Sequence, residues 1–317
     1  MRRRALLLAL SAACLIACSR KTVGAPPAAP AKLLSLADAI PADLDLVIRI
    51  DVRRIRDALG EAIWADVRKG AASSARSTGD AATEQFLAEA LARADLAYIG
   101  LRPALSAQGL DNVVALSGDF SGLDPRGTVT APPWHPPVDL GASWRRYTRS
   151  PPRERPAPSR IYFFGDEQLV CASEAEIDSV ERVLELGKRD LALKVPAQGV
   201  IALAARLPAI LPRLLEAAPM LAELMSGARE LEASADVTAT GLRIAAAIKF
   251  QTGGDAKRFG EAVTRLAERL AERPGVVGRI AGAARFETLG SDVSLRAFVD
   301  RAAFGEVVAC AAGPGCL

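Results

Sequence analysis

One stretch decides the class of fold. Leu46, Ile48, Ile50 and Val52 alternate with Asp45, Val47, Arg49 and Asp51, a period-two strand with one face to bury. A helical period begins where the strand ends, with apolar residues at Val52, Ile55, Leu59, Ile63 and Val67. A strand feeding straight into an amphipathic helix must pack that helix on the sheet it joins, which is an α+β arrangement.

The rest of the chain continues the theme. A polar loop at residues 70–83 precedes a second helix, Glu84–Ala94, and then strands at Leu96–Leu101 and Val113–Phe120. Residues 121–158 are crowded with Pro and carry Trp134, Trp144 and a local cluster of Arg145, Arg146, Arg149, Arg153 and Arg155; a loop of that length is functional or disordered unless a strand near Trp144–Thr148 interrupts it. Ile161–Phe164 and Gln168–Ala172 form a hairpin about Gly165-Asp166-Glu167, followed by a helix at Glu174–Leu186 with Ser173 as its N-cap. The pattern then restarts. Val195-Pro196-Ala197, a strand at Val200–Ala204 and an amphipathic helix through Leu224 echo Ile40-Pro41-Ala42 and the elements after it. Strands at Glu232–Thr240 and Leu242–Gln251, a helix at Asp255–Glu272, a hairpin at Ala284–Leu289 and Val293–Phe298 and a short terminal helix complete the chain. The expected fold is therefore two related α+β units, residues 40–192 and 193–317, each an antiparallel sheet with helices on one face.

The amino terminus is of another kind. Arg2, Arg3 and Arg4 precede an apolar run from Ala5 to Ala17. That run falls short of the ~20 residues needed to cross a bilayer and reads as a cleaved export signal, residues 1–17. Its end, Leu15-Ile16-Ala17-Cys18, resembles the lipobox of bacterial lipoproteins. The resemblance implies cleavage between Ala17 and Cys18, diacylation of the Cys18 thiol and acylation of the new amino terminus. It further implies a lipid-anchored location in the cell envelope; Ser19, in place of the Asp that retains such proteins at the inner membrane, points to the outer membrane. Two or more acyl chains anchor stably where one does not. Residues 18–39 then form a Pro/Ala-rich tether, with Pro26, Pro27 and Pro30 favouring an extended polyproline course.

Cleavage also settles the charge. The full chain has 40 basic and 37 acidic residues, and residues 1–17 hold three Arg and no acid, so the remainder is balanced. A nucleic-acid partner is excluded for want of a basic surplus. Aromatic residues make up only 5% of the chain, too few for a base-stacking platform.

Catalytic chemistry finds little to stand on. His135, the sole histidine, lies in Trp134-His135-Pro136-Pro137, away from any rigid scaffold. One His and scattered Cys build no ordinary metal site, and no cofactor motif follows any strand: GxSxG, GxxxxGK[ST] and GxGxxG are all missing. Of the cysteines left after cleavage, Cys310 and Cys316 bracket a Gly-Pro-Gly turn and are candidates for a disulfide in an oxidising compartment, whereas Cys171 sits in a strand pattern as a buried thiol. Trp144, Arg145, Arg146, Tyr147 and Arg149 form a candidate docking surface for an acidic partner or lipid headgroups. Arg53, Arg54 and Arg56 open a helix, where they oppose its dipole and are either solvated or rim a ligand groove.

Two functions fit. The preferred one is a membrane-anchored, non-catalytic envelope scaffold or interaction module with an envelope protein as partner. The alternative is a binder or carrier of an apolar ligand such as a lipid, with room left between sheet and helices by small residues such as Ala245–Ala247 and Ala202–Ala205.

Overall fold

The computed structural model describes residues 35–60, 64–65, 81–103, 110–124, 134–141, 144–150, 158–186, 193–217 and 223–301. The leader, Cys18, the tether up to residue 34, Cys310, Cys316 and the expected terminal helix lie outside these residues. The described strands are β1 (Leu46–Ile50), β2 (Ala94–Pro103), β3 (Leu110–Gly118), β4 (Val138–Gly141), β5 (Trp144–Thr148), β6 (Arg160–Phe164), β7 (Gln168–Ala172), β8 (Ile201–Arg206), β9 (Ala228–Thr238), β10 (Gly241–Phe250), β11 (Arg285–Leu289) and β12 (Asp292–Asp300). The helices are α1 (Val52–Leu59), α2 (Ala81–Arg93), α3 (Ile177–Leu186), α4 (Leu207–Ala217), α5 (Gly253–Ala271) and α6 (Val276–Ala283). All twelve strands form one antiparallel sheet in the order β11-β12-β10-β9-β8-β1-β2-β3-β7-β6-β5-β4.

Where the sequence suggests two sheets, the chain builds one, because β1 and β8 pair with each other. The pairing sets Ile48 opposite Leu203, 155 positions later, the same offset that carries Ile40-Pro41-Ala42 onto Val195-Pro196-Ala197. Bonds at the ends of this seam match under that offset. The Asp51 N–H donates to the Val200 carbonyl at 2.7 Å, and the Arg206 N–H to the Asp45 carbonyl at 2.7 Å. Outward from the seam the two halves run β1-β2-β3-β7-β6 and β8-β9-β10-β12-β11, the same order of elements. Even the exits correspond: the Ser173 N–H donates to Asn112 O after β7, and the Arg301 N–H to Thr240 O after β12, both at 3.0 Å.

Side chains alternate across a strand, so the core clusters reveal which face each helix covers. Val113, Ala115, Val170 and Tyr162 pack with Ile177, Val180 and Leu184 of α3 on one face. Leu116, Leu169, Cys171 and Ile161 pack with Val52 of α1 and Phe86 and Ala90 of α2 on the other. The first half thus carries helices on both faces, not one. In the second half Leu231, Ile248, Phe250 and Val293 meet Ala256, Phe259 and Val263 of α5, while Arg243, Ala245, Ala247 and Lys249 on the reverse face are exposed.

Three elements escape the sequence reading, the first being the 3-10 turn Leu36–Ala39, which buries Leu36 and Ala39 inside the span read as tether. β4 is four residues long, and α6 follows Pro274-Gly275 closely. One cap differs as well. The Ser173 hydroxyl accepts the Asn112 N–H of β3 at 3.0 Å instead of capping its helix. Hydrogen-bonding a neighbouring strand satisfies a buried donor that the helix cannot reach. Among the described residues no helix is long and apolar enough to cross a membrane.

Candidate functional site

The arginines that open α1 are anchored by ion pairs. Arg53 and Arg56 both bond Asp95 at the start of β2, and Arg54 reaches Asp236 of β9 at 2.7 Å, tying the two halves together. The Arg53 guanidinium, followed by that of Arg56, holds the Asp95 carboxyl below its usual range against a smaller opposing effect of burial. Arg53 and Arg54 stay largely in solvent, with side chains 62% and 49% exposed, each held to an acid.

The candidate docking residues 144–149 belong to β5 and the bridge after it. Trp144 and Tyr147 are core side chains, with the Trp144 ring 4.9 Å from Phe164 and Tyr147 5.6 Å from Phe163. Arg145 bonds Asp166 at 3.0 Å and lies over the Phe163 ring, and Arg149 is buried. Arg146 shares Glu181 of α3 with Arg160 and the Tyr162 hydroxyl. Burial and the adjacent Glu181 push the Tyr162 phenol above its ordinary range. These five residues are therefore not a loop: Trp144 and Tyr147 lie three apart on β5 and so on opposite faces, each buried in its own core cluster, and Arg145 and Arg146 are matched by acids within reach.

His135 is exposed, and its N–H bonds the Thr148 carbonyl at 2.9 Å. Cys171 is enclosed, which pushes its thiol up to about 12 and keeps it protonated. Among the described residues no group of three or more His, Cys, Asp or Glu side chains is placed to hold a metal ion. Glu176 is enclosed against Arg102, which also bonds Asp43 at 2.8 Å.

A different place is built to receive something. α5 starts at Thr252, whose hydroxyl accepts the Asp255 N–H at 3.1 Å, and lies across β10, β12 and β11. Its stripe Val263, Leu266, Ala267 and Leu270 follows the i, i+3, i+4, i+7 spacing of one helical face. α6 turns back beside it and presents Val277, Ile280, Ala281 and, at its end, Ala284, at the same spacing. Gly278 permits this close return, because a Cβ there would stand 1.9 Å from the Arg273 carbonyl oxygen.

Between the two stripes and the sheet lies a crevice of 370 Å³, floored by Ile244, Phe286, Leu295 and Ala297. No polar side chain lines it. The hollow exists because four of the twelve lining residues are Ala, too short to interdigitate across it. Small residues leave room between sheet and helices here, as the sequence suggests, but not those it singles out. Ala245 and Ala247 face the other way, and Ala202, Ala204 and Ala205 are packed.

The matching region of the first half is lined by larger side chains. On the same face of the sheet, β3, β7 and β6 are covered by Phe86, Phe120, Trp134 and Tyr147, all buried. Corresponding strands thus carry buried aromatics in one half and border an apolar crevice in the other. The signal in the sequence was faint: the stripe of α5 was legible, whereas its meeting with α6 was not.

No family model and no curated protein matches the chain. Among solved structures it is similar to crystal form III of TP0453, at 8% identity over 86% of this chain and 97% of that one, with a TM-score of 0.49. Crystal form I of TP0453 gives 9% identity over 89% and 100%, with a TM-score of 0.49.

Proposed function

We propose that this protein is a lipid-anchored component of the bacterial cell envelope, held at a membrane through acylated Cys18, that binds an apolar ligand in the crevice beneath α5 and α6. The crevice carries the reading. Its volume lies within the ~300–1,000 Å³ usual for ligand sites and more than doubles the ~150 Å³ apolar cavity that takes up benzene. A lining without polar groups offers no hydrogen bonds to orient a reacting bond, so binding or carriage rather than catalysis suits it. The matched seam and strand order support the division into two related units, with the second adapted to hold a ligand. The reverse face of that second unit, where Arg243, Ala245, Ala247 and Lys249 are exposed, favours a scaffold role as the other reading, since Phe298 there is 44% exposed beside Arg243 and Arg296.

Native mass spectrometry of residues 19–317, a span that retains every described element, purified from a bacterial periplasm, tests the binding. A reproducible added mass of lipid size is expected. A bare mass that stays bare after incubation with lipid would leave only the scaffold reading. The anchor is tested separately: Cys18→Ser should shift the protein from the membrane fraction to the soluble one, and unchanged fractionation would remove the lipid anchor from the proposal.

A further inference from the structure

We infer that the ligand held in the crevice is a single aliphatic chain belonging to a one-chain amphiphile, with its polar head left in water. This rests on the apolar-ligand reading and narrows it.

Three observations carry it. The first is volume. A methylene occupies roughly the liquid share of one water, about 30 Å³, so 370 Å³ accommodates on the order of a dozen methylenes. That is one chain of medium length; two chains of a common membrane phospholipid would need several times the space. The second is chemistry. Every lining side chain is aliphatic except Phe286, so a head group finds no charge or hydrogen-bond partner inside, and its burial there is disfavoured. The third is the rim. Leu266 on α5 and Val277 on α6 both line the crevice and are 49% and 53% exposed, so its mouth opens between the helices and remains apolar up to the solvent boundary. A chain can enter there tail first while its head stays outside. The contrast with the first half reinforces this, because there aromatic side chains of the protein itself take up the corresponding space.

The test is a chain-length series on residues 19–317, with ligand-free protein titrated below the critical micelle concentration. The probes are saturated fatty acids of 8 to 16 carbons, the matching lysophosphatidylcholines, and diheptanoyl phosphatidylcholine, which divides 14 acyl carbons between two chains. Affinity is expected to rise about fourfold per methylene up to about 12 carbons and then level off, since later methylenes remain in water. Fatty acid and lysolipid of equal length should agree within about threefold, because the head is not read. Diheptanoyl phosphatidylcholine should bind like a seven-carbon chain and fall far below the 14-carbon lysolipid. Equal affinity for the two 14-carbon probes, a rise that continues through 16 carbons, or a strong head-group preference would overturn the single-chain inference while leaving apolar binding intact. Failure of every probe to bind would instead remove the crevice as a ligand site.

Discussion

Ala281→Phe should abolish retention of the apolar ligand and weaken binding of a 12-carbon fatty acid at least tenfold. Ala281 lies on the inner stripe of α6 and lines the crevice, so a ring there enters the hollow instead of the packed core. The loss follows from displaced chain: two methylenes excluded at ~0.8 kcal/mol each already exceed a factor of ten. Stability should not fall with affinity. Filling an apolar void restores dispersion contacts that its lining lacks, and such changes commonly add about 0.5–2 kcal/mol. Ala267→Phe attacks the same space from α5 and guards against an unlucky rotamer in the first variant. Binding by titration and Tm by calorimetry, read together, decide the matter. Lost affinity with Tm held or raised assigns the ligand to the crevice, and unchanged affinity in both variants would place it elsewhere.

Phe163→Ala should cost about 3–5 kcal/mol of stability, the range for emptying a fully enclosed aromatic site. Phe163 is 0% exposed at the centre of the first half's aromatic cluster, with Phe86 at 6.4 Å and Tyr147 at 5.6 Å, both edge-on. It also stacks beneath the Arg145 guanidinium. Truncation removes the ring that three partners share, and β6 sits between β5 and β7, where the backbone cannot collapse into the gap. In urea the midpoint should drop with the slope unchanged. Leu266→Ala, at a half-exposed position, should change stability far less. A loss below about 1 kcal/mol for Phe163→Ala would mean that the cluster is not the rigid counterpart of the crevice.

These two variants separate what the halves do. The first half is held by aromatic packing; the second holds a hollow. Nothing in the order of their five shared strands distinguishes them, whereas residue size does: Phe86, Phe120, Trp134 and Tyr147 against Ala267, Ala281, Ala284 and Ala297.

The sequence by itself determined the strands, because a half-buried strand writes its period directly into the chain. Leu242, Ile244, Ala246, Ile248 and Phe250 alternate as their burial does, and both hairpins, β6–β7 and β11–β12, fall where Gly165 and Gly290 mark their turns. It also determined the α5 stripe and the echo between Pro41-Ala42 and Pro196-Ala197. Tertiary structure alone decided that the two halves share one sheet, since the pairing of Ile48 with Leu203 joins residues whose separation leaves no local trace. The faces were decided the same way. Trp144 and Tyr147 among arginines look like a docking surface until the cores on the two faces of the sheet bury them and Glu181 and Asp166 pair with Arg146 and Arg145. The crevice is the clearest case. An alanine in a sequence says only that a side chain is small; whether that smallness lets two surfaces close or leaves a space depends on what stands opposite, and only the folded chain sets α5, α6 and the sheet against one another.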